Sequence, residues 1–157
     1  MSVVSLSELK SKLSPGQRLL GLDLGEKTIG IALSDTMATI ATPMETLARG
    51  KFSKDAEKIL KLISEHNIGA LIIGLPLNMD GTEGPSVQSA RAFARNFAAK
   101  SDVAIVFQDE RLSTAAVTRT LLEADSSRAK RARVVDKMAA AYILQIALDR
   151  LRTLPPA

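Results

Sequence analysis

The chain has no cysteine, no tryptophan, a single tyrosine and a single histidine. Without cysteine there are no disulfides and no thiolate metal ligands, a composition that fits a reducing cytoplasm. One histidine cannot form the imidazole pair that many transition-metal sites use. Aromatic residues make up only 3% of the chain, too few for a platform that stacks the bases of a single strand. No apolar run reaches the length of a membrane span, and no apolar signal-peptide core follows the N-terminus. These absences lead us to expect a cytoplasmic protein with no membrane partner.

What remains is 157 residues, 46% of them hydrophobic, enough for one domain with a real core. Lysine and arginine number 21 against 17 acids, a net charge of +4 that leans mildly towards polyanions. The local distribution says more than the total. Residues 128 to 137 read RAKRARVVDK, in which Arg128, Lys130, Arg131, Arg133 and Lys137 surround one acid. Such a stretch is either a solvated loop before a helix or a surface for phosphates.

The stretch from Arg18 to Asp35 organises the rest. Leu19 to Leu24 and Ile29 to Leu33 read as strands joined through Gly25-Glu26-Lys27, and the first is apolar on both faces, as a central strand should be. Residues 1–17 read as an N-terminal helical extension, 18–152 as the main domain and 153–157 as a tail. Ile40 to Leu47 reads as a third strand, placed at an edge by Pro43. A helix follows, with Ser53 as its cap and Asn67 to Gly69 at its end, where His66 meets the last carbonyls. Ala70 to Leu75 and Val103 to Phe107 read as buried strands, Val87 to Ala98 as the helix between them. A third helix begins after Ser113, and the last runs from about Arg133 to Leu151. The order β-β-β-α-β-α-β-α-α implies a hairpin meander followed by right-handed crossovers.

Three acids conflict with this patterning. Asp23 sits in the apolar first strand, where an ionised carboxylate is costly unless a cation or several donors compensate it. Glu110 lies just beyond the fifth strand, at the carboxyl end where open α/β sheets bind ligands. Asp136 shares a helix face with Ala139, Ala140, Ile143 and Ala147, a face expected to pack on the sheet. Three oxygen donors without histidine or cysteine suit a hard cation, Mg²⁺ or Mn²⁺, and such ions serve phosphodiester hydrolysis. Further candidates for nucleic-acid contact are Lys27 in the hairpin turn, Asn78, Gly81 and Thr82 before a helix, Arg111, and the five cations of residues 128–137.

Four blocks carry a resemblance. GLDLGEKTIGIALSD at 21–35, IIGLPLNMDGTEG at 72–84, DERLSTAAV at 109–117 and VDKMAAAYIL at 135–144 are similar to the motifs of the YqgF/RuvX family. The resemblance covers residues 18 to 152 and implies an α/β, ribonuclease H-like three-layer fold with a five-stranded mixed sheet in the order 3-2-1-4-5. It implies Asp23, Glu110 and Asp136 as a metal-holding catalytic triad that leaves 5′-phosphate and 3′-hydroxyl ends. The implied activity is nuclease maturation of the 5′ end of pre-16S rRNA on the ribosome, with relatives that resolve branched DNA as Holliday junctions. The chain departs from the pattern at Thr28, where members commonly carry a basic residue, and it shows no evident fourth acid. Three other readings stand beside this one. They are a resolvase working as a homodimer rather than a monomer, a non-catalytic RNA- or ribosome-binding factor, and an actin-like nucleotide site, which needs two domains where the length supplies one.

Overall fold

A computed structural model describes residues 3–75, 80–109 and 128–154, with side chains in the last segment from residue 137 onward. The described elements are α1 (Leu6–Lys12), β1 (Arg18–Leu24), β2 (Thr28–Ser34), β3 (Ala41–Ala48), α2 (Phe52–His66), β4 (Ile68–Leu75), α3 (Pro85–Ala98), β5 (Ala104–Asp109) and α4 (Arg128–Thr153). The five strands form one sheet in the order β3-β2-β1-β4-β5. β1 pairs antiparallel with β2 and parallel with β4, and β4 runs parallel to β5. The order and the central place of β1 match expectation, and Pro43 lies on the edge strand.

Alternation along β1 divides the core. Leu20 and Leu22 pack with Leu71, Ile73, Phe93 and Phe97 on the face covered by α2 and α3. Leu19 packs with Ile72, Val106, Ala140, Ile143, Leu144 and Leu148 on the face covered by α4. Five successive β1 residues, Leu19 to Asp23, are buried, as a strand covered on both sides requires. The N-terminal segment joins the second layer. Leu9 is fully buried there, Val4 N–H donates to the Ile105 carbonyl, and Ser5 and Glu8 close a capping box on α1.

Four local expectations are corrected. Ser53 does not cap α2: the helix begins at Phe52 with Lys51 as N-cap, and the Asp55 carboxylate turns back to accept from Gly50 N–H. Asn67 is the C-cap, in the left-handed conformation that asparagine tolerates, but Ile68 and Gly69 already belong to β4. β5 extends to Asp109, because pairing with β4 continues through Gly74↔Gln108 and Leu75↔Asp109. The last helix starts at Arg128, so the backbone of Arg128, Lys130 and Arg131 is helical and no loop separates them from Arg133. The helix expected after Ser113 lies outside the described residues.

Candidate active site at the carboxyl end of the sheet

Asp23 is the penultimate residue of β1 and only 6% exposed, a buried carboxylate on the face that α4 covers. Its antiparallel partner in β2 is Gly30. One step beyond the Leu22↔Ile73 pair, β4 presents Gly74. Glycine therefore stands beside Asp23 in both flanking strands. In the next strand Gly74 pairs with Gln108, buried at 4% exposure. Its amide donates to the Asp109 carbonyl at 3.0 Å and its oxygen accepts from Arg150 at 3.5 Å.

α4 comes close to this row because small residues allow it. A Cβ on Gly21 would lie 2.8 Å from Leu144 Cβ and 2.9 Å from the Ala140 carbonyl oxygen, so helix and strand backbones are in contact. Ala139, Ala140, Ile143 and Ala147 are all buried, which confirms that the face named for Asp136 packs on the sheet. Asp136 belongs to the same helix, one turn before Ala140. Its side chain lies outside the described residues, as do Glu110, Asn78 and Arg111 and the side chains of Arg128, Lys130, Arg131 and Arg133. Among the described residues no three acids or histidines converge on a cation position.

The remaining candidates ring the same end of the sheet. Lys27 is exposed in the β1–β2 turn, where Gly25 N–H donates to the Thr28 carbonyl. Gly81 and Thr82 are exposed, and the Asp80 carboxylate accepts from Thr82 N–H at 2.9 Å and from its hydroxyl at 2.6 Å. Lys137 is half-buried on α4. A cleft of about 340 Å³ separates the β1–β2 turn from the start of α3, lined by Leu24, Gly25, Glu26, Arg49, Pro85, Ser86 and Ser89. Arg49, Ser86 and Ser89 carried no signal in the sequence, since an arginine at a strand exit and serines in a first helical turn are commonplace. His66 sits in the last turn of α2, as expected.

The profile of the RuvX family, described as Holliday junction resolvase, matches residues 17–150. The chain belongs to the RuvX family. A relative from Methylocella silvestris, named "Putative pre-16S rRNA nuclease", is 59% identical over 150 residues, covering 96% of this chain and 93% of its own. One of the same name from Paramagnetospirillum magneticum is 60% identical over 149 residues, 95% of this chain and 96% of its own. Among solved structures, Thermus thermophilus RuvC in complex with a Holliday junction substrate aligns with TM-score 0.54 at 12% identity, over 90% of this chain and 99% of RuvC. That likeness shows that RuvX and RuvC share a fold. The described helices of this RuvX chain include none long and apolar enough to cross a membrane.

Proposed function

We propose that the chain is a divalent-metal-dependent endonuclease that hydrolyses phosphodiester bonds in structured RNA, maturing the 5′ end of pre-16S rRNA in the cytoplasm. The observation that carries this reading is the buried Asp23 carboxylate between two glycines, at the end of a central strand and under a closely packed helix. A carboxylate held out of water at the carboxyl end of a central strand fits a hard cation, which takes oxygen ligands. Glu110, one residue beyond β5, and Asp136 on α4 would complete the holding set. A bound Mg²⁺ or Mn²⁺ supplies Lewis-acid polarisation of the phosphoryl group and a more acidic water. The protein's own part is to hold the three carboxylates from three separate elements and to dry the site. Exposed cations such as Lys27 draw the polyanion to the carboxyl end of the sheet.

The test is cleavage of a transcript spanning the 5′ precursor junction of 16S rRNA, with Mg²⁺ or Mn²⁺ present. Asp23→Asn should lower the rate by about 10²-fold or more, as expected on losing a group that acts on the transition state, while the RNA remains bound. Cleavage by the variant at the wild-type rate would sink the assignment. The family description favours a second substrate, branched DNA. A four-way DNA junction cut in preference to the transcript would establish that reading, and two symmetric cuts would call for a dimer.

A further inference from the structure

The cleft between the β1–β2 turn and α3 lies one residue beyond Asp23, and its cation is Arg49 at the exit of β3. The guanidinium is half-buried. It donates to the Gly25 carbonyl at 2.7 Å and to Ser89 Oγ at 3.3 Å, and it lies 6.0 Å from the centre of the Phe93 ring. Among the described residues no carboxylate forms an ion pair with it. Two bonds leave donors of the five-donor fork available, and a buried or half-buried arginine ordinarily finds an anion. By contrast Arg91, on the next turn of α3, is paired bidentately with Glu83 at 2.7 and 3.1 Å.

Three features fit the cleft to a tetrahedral anion. Arg49 is fixed from two sides, so little side-chain entropy is lost on binding. Two serine hydroxyls, Ser86 and Ser89, stand on the facing helix turn and can donate to phosphate oxygens. The first turn of α3 holds no acidic residue, and the acid that lines the cleft, Glu26, is exposed in the β1–β2 turn on the opposite wall. The cleft opens on the α3 side of β1, whereas Asp23 faces α4, so one strand crossing the end of the sheet would meet both in succession.

We infer that the Arg49–Ser86–Ser89 cleft seats a backbone phosphate flanking the one that is cleaved, and so sets which bond reaches Asp23. The inference rests on reading the chain as a nucleic-acid phosphodiesterase. Arg49 then acts as a positioning residue, and its contribution is charge-dependent and sequence-independent.

The test is equilibrium binding of two fluorescein-labelled probes, the precursor-junction RNA and a four-way DNA junction, in EDTA across a KCl series. Arg49→Met keeps the aliphatic stem on Phe93 and removes the charge. It should weaken binding and reduce the slope of log K against log salt by about 0.7–0.9, one phosphate contact, while Arg49→Lys retains the slope. Ser86→Glu supplies a control that does not depend on Arg49 folding. An acid in the first turn of α3 favours the helix, so this variant should melt at or above wild type and yet bind more weakly. An unchanged slope in Arg49→Met together with wild-type binding by Ser86→Glu would overturn the seat and leave Arg49 as a tie between turn and helix. Binding to the DNA junction alone would overturn the RNA reading while the slopes still judge the cleft. Binding to neither probe would end both.

Discussion

Asp35, just past β2, shows how one carboxylate can hold a turn. It accepts from Thr39 N–H at 2.7 Å, from the Thr39 hydroxyl and from Ile40 N–H at 3.1 Å. Donors aimed at the ionised form, the Thr39 hydroxyl foremost and then its N–H, hold this carboxyl below the ordinary aspartate value of 3.8. The unfolded chain therefore takes up the proton first as pH falls. The stability Asp35 contributes is complete above the ordinary carboxylate range and is lost as pH falls through the lower, folded value. Because solvent screens this carboxylate, Asp35→Ala should cost no more than about 0.5–1.5 kcal/mol near neutral pH and progressively less in acid, where the gap to wild type narrows. Urea unfolding of both proteins at the two extremes measures the difference. A gap of the same size in acid would mean that packing, not charge, holds the turn. At this scale Asp23 stood out because it broke the pattern of an apolar strand, and the structure buries it there. Arg49 broke none, because its place depends on a turn 24 residues earlier and a helix 40 residues later.

Among elements, the close contact between β1 and α4 sets how the proposed site would assemble. Gly21 is there because nothing larger fits. An added methyl would meet Leu144 Cβ and the Ala140 carbonyl, and a carbonyl in a helix cannot rotate aside as the end of a flexible side chain can. Gly21→Ala should push α4 off the sheet at a cost of about 1–3 kcal/mol. Because Asp136 is one turn from Ala140, cleavage should fall more than the loss of folded protein explains. Comparing unfolding midpoints with rates at a temperature where the variant is fully folded separates the two effects, and a rate matching the folded fraction would refute the coupling. Strands and their order were readable because continuous apolar runs and one proline carry that information. The beginning of α4 was not, since arginine, lysine and alanine favour helices but look, when solvated, like a loop. Ser53 misled for a related reason: a serine near a helix start is a cap only if the chain turns there, and Asp55 had already turned it at Gly50.

For the molecule as a whole, the proposed function makes stability depend on a divalent ion. On that reading, the buried Asp23 shares one cation with Glu110 and Asp136, and the bound ion offsets the like-charge repulsion among them. The net charge of +4 does not relieve this, because cations at the surface are screened over about 8–10 Å at physiological salt. Mn²⁺ should therefore raise the melting temperature of wild type, by the equivalent of about 2.7 kcal/mol when its concentration is 100 times Kd. Asp23→Asn removes both the burden and the ligand. In EDTA it should melt at or above wild type, and in Mn²⁺ below it, so the order of the two proteins reverses with the metal. Calorimetric scans of both proteins under the two conditions decide the matter. A wild-type midpoint indifferent to Mn²⁺ would show that these acids hold no cation, and the chain would then be a nucleic-acid-binding member of its family whose carboxylates serve some other end.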